Sequence, residues 1–135
     1  MIPTYGCLRG INQSGSVKVV ELVESHLRRL LLTVLKSVDV DEEYYRSTNR
    51  DVDEKIHSGE IPSARSHYIL AGYYEDRLPR AVIVNEAWYL SQYPDVADAV
   101  SRRSFSSASH HFALEGFREG RLPYDGWSLV ADKPA

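Results

Sequence analysis

"HYILAGYYEDRLPR", from His67 to Arg80, and "HFALEGFREGRLPY", from His111 to Tyr124, are nearly the same sentence written twice, 44 residues apart. Residues 40–79 slide onto 84–123 without a gap. Identical pairs include Val40/Val84, Glu42/Glu86, Tyr45/Tyr89, Asp51/Asp95 and Val52/Val96. The run continues through Ser63/Ser107, His67/His111, Gly72/Gly116, Glu75/Glu119, Arg77/Arg121 and Pro79/Pro123. Self-similarity over such a span marks a supersecondary unit used twice, and it restricts the chain to folds assembled from two like pieces.

Each piece reads as three short helices. Asp41 or Asn85 caps a first helix ending near Thr48 or Gln92. Asn49 or Pro94 breaks it, and a second helix runs to about Ser58 or Arg102, with Gly59 as a C-terminal cap in the first copy. Ser63 or Ser107 caps a third helix. Gly72 and Gly116 then stand where a left-handed residue is expected, and Pro79 and Pro123 close the units. Asp51 and Asp95 fall in the first turn of the second helix, where a carboxylate complements the helix dipole.

Ahead of the repeats, Val20, Val23, Leu27, Leu30 and Val34 recur at spacings of three and four. The spacing predicts an amphipathic helix over 17–38, capped by Ser16. Its apolar stripe is wide for so small a protein, which points to a homodimer with this helix at its centre. The expected organisation is a flexible arm 1–15, the long helix within 16–39, repeats 40–83 and 84–123, and a tail 124–135 docked through Trp127. The fold class is all-α, the repeats being related by an approximate internal twofold.

A chain of 135 residues folds without staples. Its net charge of −3 argues against nucleic-acid binding, which needs a basic face. The apolar stretch 17–40 is broken by charges, so no membrane span is expected. The start, "MIPTYGCLRG", lacks the charged and apolar regions of a signal peptide, and the single cysteine, Cys7, suits a reducing compartment; a cytoplasmic location is expected.

Chemistry-bearing residues carry two readings each. Of the pairs Tyr44–Tyr45 and Trp88–Tyr89, only one member can point fully inward. Tyr45 and Tyr89 are expected in the core; the competing reading is an aromatic platform for sugar or peptide that takes in Tyr44, Tyr73, Tyr74, Trp88 and Phe117. His67 and His111 are expected as structural equivalents bonded to a backbone carbonyl or to the Glu-x-Arg turn, against a metal, anion or substrate site. Arg77 and Arg121 are expected to satisfy the last helix carbonyls while Glu75 and Glu119 hold them in a forked pair. The alternative is a paired-arginine grip on phosphate or carboxylate. No phosphate loop, CxxC pair, H-E-x-x-H or G-x-S-x-G is present, so no cofactor, metal or catalytic group is expected.

The pattern Asp-x-x-Tyr-Tyr, Pro-Asp-Val, His-Tyr/Phe and Gly-x-x-Glu-Gly-Arg-x-Pro is best kept in "WYLSQYPDVADAV" and "HHFALEGFREGRLP". It resembles a helical module of about 40 residues that recurs in bacterial secreted haemolysin-type calcium-binding proteins and beside glycosyltransferase domains. The first copy departs from it at Asn49-Arg50 and Asp76. The resemblance implies an accessory or interaction module binding a protein partner or a glycan, and it carries no catalytic residues. The rival expectation is a small helical enzyme or metal-binding protein with a site between the repeats, built from His67, His111, Glu75, Glu119, Arg77 and Arg121.

Overall fold

Ser63 and Ser107 do what their sequence positions promise: each side chain accepts a bond from the backbone N–H three residues on, and a helix starts there. The computed structural model, which describes residues 21–130, is all-helical, with no strand among the described residues. The arm 1–15, with Cys7, the Ser16 cap, Val20 and the last residues of the tail lie outside that range.

Helix α1 is Glu24–Leu35, shorter than the expected 17–38 within the described range. Residues 21–23 are not helical, and Val23 is an extended N-cap at φ −65°, ψ 132° without a side-chain cap bond. The apolar pattern runs on through Leu22 and Val23, but both are exposed, and a helical turn with nothing packed on it is marginal. Leu27 and Leu31 pack partly against the core and Leu35 is fully buried, so α1 sinks inward towards its C-terminal end. Leu30 stays exposed on the flank. Glu24 and Arg28 pair as their spacing predicts, at 3.1 Å. Arg65 clasps the C-terminal end, donating from Nη1 to the Val38 carbonyl at 2.9 Å and from Nη2 to the Lys36 carbonyl.

The first repeat segment holds α2 (Glu42–Thr48), α3 (Arg50–His57) and α4 (Ala64–His67), which widens into a π turn over Tyr68–Gly72. The second holds α5 (Glu86–Gln92), α6 (Pro94–Ser101) and α7 (Ala108–His111), widening over Phe112–Gly116. Asp41 and Asn85 cap α2 and α5 through Tyr44 and Trp88 N–H. In each segment the capping residue's own N–H bonds to the carbonyl of the closing proline, Asp41 to Pro79 at 3.1 Å and Asn85 to Pro123 at 3.0 Å. Both prolines are buried. Tyr45, Val52, Ala64 and Tyr68 fill the core of the first segment, and Tyr89, Val96, Ala108 and Phe112 that of the second. Trp127 docks edge-on against Phe112 and Phe117, as expected of the tail, and Leu129 is buried with it.

The left-handed positions differ from expectation. Gly59 does adopt φ +80° after α3. Gly72 and Gly116 do not: they lie inside the π turns, and the chain winds on through Tyr73 and Phe117 in right-handed geometry. Positive φ falls four residues later, at Asp76 (53°) and Gly120 (74°). The equivalent of Gly59 is Arg103, at φ 61°.

Candidate functional site

The two glycines are explained by what approaches them. A Cβ on Gly72 would overlap the hydroxyl oxygen of Tyr45, and one on Gly116 would overlap that of Tyr89. The hydroxyls lie against the π turns, and each bonds to a histidine Nδ1, Tyr45 to His67 at 3.0 Å and Tyr89 to His111 at 3.0 Å. Tyrosine, histidine and glycine, identical in both copies, are therefore one constellation, in which the glycine admits the hydroxyl and the hydroxyl orients the imidazole. The expected partners, a carbonyl or the Glu-x-Arg turn, are replaced by a tyrosine 22 residues upstream. Burial pushes the Tyr45 and Tyr89 hydroxyls to higher pKa, so both stay protonated. Burial also holds His67 below the ordinary imidazole value.

A second constellation surrounds each arginine. Arg77 grips Asp51 with two parallel bonds of 3.0 and 2.8 Å and gives Nε to Glu75 at 2.5 Å; Nη1 also reaches Asn49 at 2.7 Å. Arg121 repeats this with Asp95 at 2.9 and 2.6 Å and Glu119 at 2.6 Å. The fork faces the aspartate, not the glutamate, and among the described residues neither arginine side chain bonds the helix carbonyls. Backbone N–H groups reach those: Arg77 N–H bonds Gly72 and Arg121 N–H bonds Gly116. The arginine bonds hold Asp51 and Asp95 below the usual carboxylate range, and the aspartates raise the arginines further. Neither hydrogen bond nor ring contact joins His67 to His111, or Arg77 to Arg121, among the described residues.

Glu42 and Glu86, repeated but given no role by their spacing, bridge the pieces. Glu42 accepts from Ala64 and Arg65 N–H at 3.0 and 3.1 Å, and Glu86 from Ala108 and Ser109 N–H at 2.8 and 2.9 Å. Each carboxylate thus caps the third helix of its segment from the first. Burial opposes the charge on Glu86, but bonds from the Ser109 side chain and from the Ser109 and Ala108 N–H groups outweigh it and lower its pKa.

Of the proposed aromatic platform, Tyr73 and Phe117 are core residues, 2% and 3% exposed, and offer no surface to a ligand. Tyr44, Tyr74 and Trp88 are half-buried. Arg28 stacks over Tyr74 at 4.0 Å, and Trp88 meets Tyr93 edge-on. Ser25, Arg28, Arg29, Leu32, Ile69, Leu70 and Tyr74 line an open groove of about 300 Å³ beside α1.

One group of donors has no counterpart in the first segment. His111, Glu115 and Glu119 bring their ligating atoms within 4.8 Å of one another. Ala71 occupies the place of Glu115. The helical spacing i, i+4, i+8 is visible in the sequence, but Glu115 is not a repeated residue, so a reading led by repetition passes over it. No helix among the described residues is long and apolar enough to cross a membrane. Comparison with protein-family models, with curated proteins and with solved structures finds no match.

Proposed function

We propose that this protein is a non-catalytic interaction module, a duplicated bacterial helical unit carried behind α1, and that its first partner is a second copy of itself. The observation that carries the reading is the fate of the repeated polar residues. Tyr45 and His67, Glu42, Asp51 and Arg77, with their counterparts, are spent on bonds inside their own segments. Their polar groups are thus engaged within the segments, even where carboxylates such as Asp51 and Asp95 lie at the surface. Apolar side chains also face solvent: Leu22, Val23 and Leu30 on and before α1, and Leu70 on the neighbouring π turn, are 52%, 63%, 63% and 68% exposed. Exposed aliphatics gathered beside one helix are the kind of surface that a partner covers. They favour a protein partner over a glycan, whose recognition would use the half-buried Tyr44 and Trp88.

Sedimentation of the full chain at micromolar concentration tests this. A dimer is expected, and Leu30→Glu should convert it to a monomer with an unchanged helical spectrum. A wild-type monomer would overturn the homodimer, as would a dimer indifferent to Leu30→Glu.

A further inference from the structure

We propose that His111, Glu115 and Glu119 form a zinc site in the second segment. All three donors sit on one winding stretch of chain. The Glu119 N–H bonds the Glu115 carbonyl at 3.0 Å, which keeps the second carboxylate one turn beyond the first. The His111 side chain is only 5% exposed, while those of Glu115 and Glu119 are 55% and 43% exposed. A buried imidazole thus stands at the base of the group and two exposed carboxylates at its mouth.

The imidazole is already oriented. Tyr89 holds Nδ1, and Nε2 is turned to Glu115 at 3.9 Å, beyond hydrogen-bond reach. Among the described residues Nε2 has no hydrogen-bond partner. A tyrosine hydroxyl on one ring nitrogen and carboxylates near the other is the arrangement of a metal-ligating histidine with its outer-shell support. When Nε2 gives its lone pair to a metal, the ring proton resides on Nδ1 and is donated to Tyr89 Oη. Ligands on a tetrahedral zinc at bond lengths of about 2.0–2.2 Å lie about 3.4 Å apart. The donors here are within 4.8 Å, so rotations of the two exposed glutamates close the difference. Glu119 gives one oxygen to Arg121 at 2.6 Å and keeps the other. One imidazole and two carboxylates suit zinc, and three protein ligands leave a fourth position for water.

The first segment is the internal control. It has the same tyrosine, histidine and glycine, and the same glutamate at position 75, but Ala71 removes the middle ligand. Two donors do not hold a zinc ion against water.

The experiment is calorimetric titration of zinc chloride into the chelator-treated, tag-free full chain. One equivalent is expected to bind and to raise Tm. Glu115→Ala, which copies the first segment at an exposed position, is expected to weaken binding at least tenfold while leaving the metal-free Tm in place. Ala71→Glu, if folded by circular dichroism, is expected to add a second equivalent. Absence of binding by the wild-type chain would overturn the proposal. So would binding that Glu115→Ala leaves unchanged, since the zinc would then sit on other histidines.

Discussion

The two segments make the same bonds in different surroundings. His67 is half-buried, whereas His111 is 4% exposed, because Phe105 packs edge-on against it at 4.8 Å where the first segment has Ile61. Asn49 reaches across to Arg77, while its counterpart Tyr93 lies under Arg121 and accepts from the Leu122 N–H at 2.9 Å. Tyr68 and Phe112 fill the same slot, but among the described residues the buried Tyr68 hydroxyl has no hydrogen-bond partner. Tyrosine, histidine, arginine and aspartate, whose side-chain bonds tie the helices of each segment together, are identical, whereas Asn49/Tyr93 bond differently and Tyr68/Phe112 and Ile61/Phe105 fill the same space with different side chains. The difference separates what the fold demands from what it tolerates.

Substitutions at three kinds of position test that division. The largest effect is expected at the glycines. Gly72→Ala and Gly116→Ala force the tyrosine hydroxyl away, adding about 1–3 kcal/mol of overpacking to the loss of the histidine bond. Tyr45→Phe should recover much of the Gly72→Ala deficit, because it removes the colliding atom. Additive urea midpoints for that pair would show that the hydroxyl contact is not the reason for the glycine.

Alanine at the histidines comes next and should distinguish the segments. His111→Ala is expected to cost about 1–3 kcal/mol, and His67→Ala less, since water reaches its site. The His67 effect carries a pH signature. Its folded pKa is depressed, so the unfolded chain binds the proton first as pH falls below about 6.5. The stability His67 contributes is therefore complete above that value and is lost as pH drops through the lower folded pKa. Denaturation curves at pH 7.5 and 5.5 should show the gap between wild type and His67→Gln narrowing on acidification. A gap that widens would reverse the assignment.

The smallest effect is expected at the filler position. Tyr68→Phe should be neutral or stabilising by up to about 1 kcal/mol, because it removes a buried hydroxyl without a partner among the described residues. Thermal unfolding that shows a clear loss would reveal a partner for that hydroxyl.

The short helices were legible because their signals are local. Asp41, Asn85, Ser63 and Ser107 each reach only three residues ahead. The tyrosine–histidine bond was not legible, because 22 residues separate its ends and nothing near either names the other. Gly72 misled for a related reason. A glycine at a helix end ordinarily signals positive φ, but here it answers a side chain from another helix. The place of Asp51 in a first helical turn points to the helix dipole, but its stronger tie is to an arginine 26 residues on. Periodicity overextends the N-terminal helix because it reports a face and not what packs on it, and Leu22 and Val23 are exposed.

The bond from Asp41 to Pro79, repeated between Asn85 and Pro123, brings the entrance and exit of each segment together. A segment closed in this way imposes no span on the chain that carries it. In general, an insert with neighbouring termini leaves the ends of a host loop where they were. This follows from the closing bond alone, independent of what the segment binds.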